Sequence, residues 1–289
     1  MPGAPGGVLD WRSRPLLMGI LNVTPDSFSD GGAHRDVAAA VAAARALAAE
    51  GAAIVDVGGQ STRPGAARLP ADAEAARVIP VIRAIRACPD LSGLLLSVDT
   101  FHAAVATAAV HAGASLVNDV SAGALDPAML PAVAATGAPF VAMHMRGDPT
   151  TMQHPSHTAY PDVVADVARE LSSAVARAWD AGIEPWRVVL DPGLGFAKGA
   201  QDNVRLLREA GAMRARMAWG TMRHAPLLLG PSRKGFLGEV AHRADPRDRD
   251  VATAAAVVAG YVGGGDCFRV HAVGPCRDAL RVAQATWPR

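Results

Sequence analysis

The chain has 289 residues, half of them hydrophobic, and a formal net charge of +1. That length can bury a sizeable core, as two average domains or one large α/β barrel. With no basic or acidic block, neither nucleic acid nor a membrane surface is an expected partner. The first fourteen residues hold Pro, Gly and two Arg but no apolar run of the kind a secretory signal needs. The longest nearly uncharged apolar helix, about residues 251–262, is too short to span a bilayer. Cys88, Cys267 and Cys276 are odd in number and lack metal-ligand spacing, which fits free thiols in a reducing compartment. A cytoplasmic protein is expected, or one of an organellar matrix if the source is eukaryotic.

Taken in order, residues 1–14 read as a short N-terminal extension and residues 15–289 as one domain. The stretch from Met18 to Leu21 is a buried strand that breaks at Asn22 into a polar loop, Val23-Thr24-Pro25-Asp26-Ser27-Phe28-Ser29-Asp30-Gly31-Gly32. Ordinary connections of strand to helix run roughly two to six residues, so this longer loop reads as functional. An Ala-rich helix from Asp36 to Glu50 precedes the strand Ala53–Val57, which ends in Gly58-Gly59-Gln60-Ser61-Thr62-Arg63-Pro64-Gly65. Asp72 is expected to cap a helix running to about Arg86. The strand Leu94–Val98 ends at Asp99, and a helix from His102 to His111 leads to Ser115-Leu116-Val117 and Asn118-Asp119. A short helix after Asp126 gives way to Pro139–Met145, with His144 near its end. A looser segment follows from Arg146 to Tyr160, then a long helix over roughly 161–181. Val188–Leu190 ends in Asp191-Pro192-Gly193-Leu194-Gly195-Phe196-Ala197-Lys198. After one more helix, Pro226–Leu229 ends in Gly230-Pro231-Ser232-Arg233-Lys234. A helix over about 250–262, the strand Cys267–His271 and a last helix after Pro275 complete the chain.

Continuous rather than alternating apolar strands, each followed by a helix, describe a parallel sheet covered on both faces. Eight such units predict an α/β fold, a single (β/α)8 TIM barrel with its active site at the C-terminal ends of the strands. A doubly wound open sheet is the alternative, but neither G-x-G-x-x-G nor a P-loop follows the first strand. Those strand ends carry Asn22, Thr62 with Arg63, Asp99, Asn118, His144, Asp191, Lys234, and Arg269 with His271. Each has an ordinary reading as well: Asp99 or Asp191 could cap a helix, His144 could be a satisfied core histidine, and Arg63 could be solvated. As a set they suit the edge of a planar heterocycle, an anion such as a phosphate, and an oxygen-liganded Mg2+. Usage within the chain points the same way. Lys198 and Lys234 are the only lysines among 28 basic residues, all the rest being Arg, and Asn22, Asn118 and Asn203 are the only asparagines. A site that keeps lysine against such a background is one that accepts only the compact ammonium.

The stretches Gly19–Gly32 and Ser61–Gly65 resemble the two signature loops of dihydropteroate synthases. Val98-Asp99-Thr100, Asn118-Asp119-Val120, Met143-His144-Met145, Asp191–Phe196, Ser232-Arg233-Lys234 and Arg269-Val270-His271 match the same family, in order across essentially the whole chain. The resemblance implies a barrel that joins 6-hydroxymethyl-7,8-dihydropterin diphosphate to 4-aminobenzoate and releases pyrophosphate. It implies that Asp99, Asn118 and Asp191 hold the pterin edge, with Lys234 near its carbonyl and ring nitrogen and Met143 against the ring. Arg63, Arg269, His271, Asn22 and Thr62 would take the diphosphate, Asn22 also contributing to Mg2+. The 4-aminobenzoate would lie among Phe28, Thr62, Pro64, Phe196 and Lys234, its carboxylate meeting Ser232 and the helix start beyond it. Lys234, Arg63, Asp99 and Asp191 would carry the catalysis. Sulfonamide inhibition and a homodimer are further implications.

Two positions depart from the family pattern. Gln60 stands where bacterial members usually have Glu, as in plant and fungal versions that are often fused to a pterin pyrophosphokinase; no kinase segment is expected in these residues. Ala272 replaces an Asp, from which changed tuning rather than lost activity is expected. A non-catalytic pterin-binding paralogue and a pterin-dependent corrinoid methyltransferase are the other readings. The first should have lost signature-loop residues, and the second has no need of Thr62-Arg63-Pro64 or Ser232-Arg233-Lys234.

Overall fold

The computed structural model describes Trp11 and residues 15–24, 33–62, 65–66 and 68–288, with backbone alone at 33–35. Strand and helix alternate as β1 Leu16–Asn22, α1 Ala33–Ala49, β2 Ile54–Gly58, α2 Ala71–Arg86, β3 Leu95–Asp99, α3 Ala103–His111, β4 Leu116–Asp119, α4 Met129–Thr136 and β5 Phe140–Met143. The order continues with α5 Pro155–Thr158, α6 Val163–Asp180, β6 Val188–Asp191, α7 Ala200–Arg208, α8 Ala210–Ala215, β7 Leu228–Leu229, α9 Gly235–Ala241, α10 Asp250–Val262, β8 Cys267–Val270 and α11 Val273–Thr286. The strands pair in parallel in the order β6-β5-β4-β3-β2-β1-β8-β7. A parallel bridge between Leu190 and Leu227, beside the 2.8 Å bond from Leu190 N to Pro226 O, brings β6 against β7. The open-sheet alternative is thereby set aside: the ends of the sheet meet in a nearly closed barrel. No helix among the described residues is long and apolar enough to cross a membrane.

Alternation along each strand sorts the side chains. Leu17, Val55, Leu96, Val117, Leu190 and Phe268 turn outward into the main core beneath the helices. Leu16, Ile54, Leu95, Leu116, Val189 and Cys267 turn inward and fill the lower interior, where Trp11 packs against them. Two residues further along, the inward positions become polar: Asp56, Ser97, Asn118, Asp191 and Arg269, followed by Asn22 and Asp99 at the top. A barrel whose interior changes from apolar to charged within two residues puts its chemistry at the C-terminal ends of its strands.

Local signals set most boundaries. Asp162 caps α6 by accepting from Val164 N and Ala165 N, and Gly137 ends α4 in the left-handed conformation. At α2 the expected cap is displaced: Pro70 holds the N-cap position without a side-chain bond, and Asp72 lies in the first turn, where its charge complements the helix dipole. The segment after β6 also departs from expectation, since the single helix there is two, α7 and α8.

Candidate active site

The polar layer is organised around Arg269. Its Nε donates to Asp56 Oδ2 at 2.6 Å and its Nη2 to Asp99 Oδ2 at 2.7 Å. Asn118 Nδ2 donates to the same Asp56 oxygen at 3.0 Å. Four strands, β2, β3, β4 and β8, are thus tied through two carboxylates. Asp56 is the functional residue that sequence reasoning missed. Its signal was present in Ala53-Ile54-Val55-Asp56-Val57, a single charge in the middle of a strand buried on both faces, where a carboxylate persists only if paired.

Asp99 keeps its second oxygen available: Oδ1 is buried and accepts nothing from the described residues. Burial pushes this carboxyl up to about 7, against the pull of Arg269. Asp191, on the opposite wall, is also raised by burial, and its Oδ1 accepts from Gly193 N at 2.7 Å. Lys234, at the start of α9, donates to the Leu194 carbonyl and lies 4.6 Å from the centre of the Phe196 ring. Burial lowers its ammonium to about 8, with Asp191 opposing the shift. Met143 is buried in a small apolar cluster with Phe101 and Val120, beside Phe196.

At the rim, Ser232 and His271 share one contact, 2.9 Å from Oγ to Nδ1, and the His271 backbone N–H donates to the same hydroxyl at 3.1 Å. Two residues expected on different anions therefore stand at one place. Asn22 is half-buried at the end of β1. A Cβ built on Gly58 would lie 3.7 Å from Asp99 Oδ2 and 3.9 Å from Asn22 Oδ1, so the two oxygens flank the same bare backbone. Among the described residues no group of three or more His, Cys, Asp or Glu could hold a metal by itself. Asn22 offers a hard oxygen next to the anionic end of the site, which fits a Mg2+ held otherwise by substrate oxygens and water. Thr62 is half-buried where the second loop begins. Phe28, Arg63, Pro64 and the loop acids Asp26 and Asp30 lie outside the described residues.

His144 is the satisfied core histidine. It is buried, with Nε2 3.0 Å from Glu170 Oε2 and Nδ1 3.0 Å from Lys198 Nζ. Burial and the neighbouring ammonium lower it to about 4, so the ring is neutral. Gln60 has a structural reason as well. Its amide donates to Glu74 Oε2 at 3.0 Å and its carbonyl accepts from Leu69 N at 3.3 Å, which joins the two stems of the second loop. Thr100 Oγ1 also donates to Glu74, at 2.9 Å. Ala272 holds the N-cap position of α11 in an extended conformation, with no side-chain bond.

A family profile for pterin-binding enzymes matches residues 18–271. The chain is 48% identical over 287 residues to a mitochondrial bifunctional folate synthesis protein of Pisum sativum, across 99% of this chain and 56% of that protein. It spans about half the length of the plant relatives it matches. A Yersinia pestis dihydropteroate synthase in a sulfonamide drug complex superposes with a TM-score of 0.87 at 40% identity, over 98% of each chain. A Xanthomonas albilineans dihydropteroate synthase with 4-aminobenzoic acid gives 0.86 at 42% identity, over 99% of this chain and 97% of that one.

Proposed function

The chain belongs to the pterin-binding enzyme family, and from that premise we propose that it acts as a dihydropteroate synthase in folate biosynthesis, condensing 6-hydroxymethyl-7,8-dihydropterin diphosphate with 4-aminobenzoate. The observation that carries this reading is the single polar layer in which Asp99, Asn118, Asp191, Lys234 and the Arg269 guanidinium meet across the barrel. The unpartnered Asp99 Oδ1 and the raised Asp191 carboxyl offer acceptors for the amino and ring N–H groups of an aminopyrimidine. Lys234 supplies a donor for the pterin carbonyl and ring nitrogen.

In the reaction the C–O bond to diphosphate breaks, and the electron pair leaves with pyrophosphate. The resulting cation on the exocyclic methylene is stabilised by the dihydropterin ring. The aryl amine then forms the C–N bond and gives up its proton. Arg269 and His271, together with Arg63 on the second loop, would stabilise the departing charge, an electrostatic task in a site closed to water. Bound through Asn22, a Mg2+ would add positive charge against the leaving oxygens. Thr62, Phe196 and Ser232 would receive the aminobenzoate, with the side chains of Phe28 and Pro64. Closure of the two signature loops over the diphosphate would complete that half-site, giving ordered binding. Sulfonamides, which mimic 4-aminobenzoate, would compete there. The homodimer and the cytoplasmic or matrix location belong to the same proposal.

The test is a coupling assay with purified chain, dihydropterin diphosphate, radiolabelled 4-aminobenzoate and Mg2+, with Lys234→Ala as control. Label moving into dihydropteroate, blocked by a sulfonamide and at least about tenfold slower in the variant, is the expected result. Pterin binding without product would replace this reading with that of a non-catalytic binder.

A further inference from the structure

The loop Asp191–Lys198 forms one wall of the site, and its carbonyls are held by side chains. Lys198 Nζ donates to Gly193 O at 3.1 Å and Phe196 O at 2.9 Å, and it sits 3.0 Å from His144 Nδ1. Tyr160 Oη donates to Ala197 O at 2.9 Å, and Lys234 takes Leu194 O. Asn203 accepts from Gly195 N at 2.6 Å and returns a bond to Lys198 O at 3.1 Å. The loop is also pressed hard against β5: a Cβ on Gly193 would meet His144 O at 2.0 Å, at φ +71°. Both lysines of the chain grip this loop, Lys234 from the cavity and Lys198 from beneath.

We propose that Lys198 is a positioning residue for the aminobenzoate half-site: its buried ammonium sets the Gly193–Phe196 turn that presents the Phe196 ring and the Leu194 carbonyl to Lys234. This rests on the synthase reading and deepens it. Nothing in that reading uses Lys198, which sits only 5% exposed. Its surroundings explain why lysine persists here. A charged ammonium has three donors that can turn toward separate acceptors, and Gly193 O, Phe196 O and His144 Nδ1 use all three. The neutral ring that accepts at Nδ1 carries its proton on Nε2, toward Glu170, and Arg146 holds Glu170 from the other side through bonds of 2.9 and 2.6 Å. A guanidinium presents its donors in a rigid plane, so Arg cannot replace this geometry in a site so tightly enclosed. The loop position is thereby fixed through His144 and Glu170 to α6 on the outside of the barrel.

The experiment compares the wild-type chain with Lys198→Met, Lys198→Arg and Tyr160→Phe. It reads KM for each substrate, kcat, and direct pterin binding by calorimetry. Displacement of a positioned group by about 1 Å costs up to about a hundredfold. Lys198→Met is expected to raise KM for 4-aminobenzoate about tenfold or more and to weaken pterin binding by a clearly smaller factor, since Asp191 and Lys234 each lean on this turn through a single bond. Lys198→Arg should fail to rescue, which a role for positive charge alone would not predict. Tyr160→Phe removes the neighbouring grip at a half-buried position that tolerates the change, so it should raise the same constant by a smaller factor; this variant decides the matter if Lys198→Met does not fold. Wild-type constants in Lys198→Arg, or equal losses for both substrates, would overturn the inference while wild-type turnover continues. A wild type that forms no dihydropteroate would overturn the synthase reading, and this inference with it.

Discussion

Arg269 and Asp56, 213 residues apart in sequence, meet inside the barrel at 2.6 Å. The pair is more than a staple between β8 and β2. With its Nε committed to Asp56, the guanidinium is oriented so that Nη2 reaches Asp99 at 2.7 Å and leaves Asp99 Oδ1 open. Asp56 therefore orients, through Arg269, the Asp99 carboxyl that the synthase reading assigns to the pterin edge.

Replacing Asp56 by Asn should weaken pterin binding by roughly ten- to a hundredfold, because a neutral amide keeps the one oxygen that Arg269 and Asn118 share but no longer matches the buried guanidinium charge. Asp56→Ala should also destabilise the fold, by about 3–5 kcal/mol, since it leaves one end of a buried ion pair unmatched. Calorimetric titration with a pterin and chemical denaturation check the two effects separately. Unchanged pterin affinity in Asp56→Asn would remove Asp56 from the site.

Lys234 is lowered to about 8 by burial. If it acts as the ammonium donor, kcat/KM for the pterin substrate should fall as pH rises through about 8, where the free enzyme loses that proton. A pH profile of kcat/KM measures this directly. Lys234→Ala should cost at least about tenfold in kcat/KM at pH 7, the scale of a lost charged hydrogen bond, and should have no basic limb in that region.

Glu74 is fully buried, and burial pushes its carboxyl from 4.5 up to about 7, with the bonds from Thr100 and Gln60 working against the shift. A carboxyl raised on folding holds its proton longer in the native state than in the unfolded chain. The associated stability is complete below about 4.5, declines as pH rises, and is gone above about 7. That span corresponds to on the order of 3 kcal/mol. Melting curves recorded from pH 4 to 8 should show the decline, and Glu74→Gln should flatten it. Gln60→Glu would place a second carboxylate 3.0 Å from the first. It should lower the melting temperature more at pH 8 than at pH 5.

Ala272→Asp should stabilise the chain by about 1 kcal/mol. The residue occupies an N-cap position in extended conformation, the setting in which a short side-chain oxygen accepts from the first turn of a helix. Thermal denaturation reads the gain. Turnover little altered by the substitution would mean that the missing carboxylate belonged to α11 rather than to the diphosphate.

The barrel was legible because its strands are continuous apolar runs and its polar residues cluster at strand ends. Asp99, Asn118, Asp191, Lys234 and Arg269 all stand on one mouth for that reason. What the sequence left hidden depends on which strands become neighbours. Asp56 lies mid-strand and acquires meaning only through β8, on the far side of β1. His144 looked like a rim residue because periodicity gives no sign of Glu170 and Lys198 closing around it. Lys198 stood out by composition alone, and its acceptors are carbonyls, which carry no side-chain signature. The Asp72 cap failed because Pro70 already supplies the extended entry to α2.

Trp11 packs against Leu16, Ile54 and Cys267 at the lower end of the barrel, so the polar layer stands on a closed apolar floor. On the synthase reading, substrates and products would pass through the mouth above that floor, and depth would decide the sequence of traffic. On that reading the pterin, seated against the deep layer around Arg269, would be first in and last out. An aminobenzoate or a drug lodged at the rim would stand in the exit as well as the entrance, so an inhibitor there would trap the pterin behind it, and its residence time would become that of the whole complex.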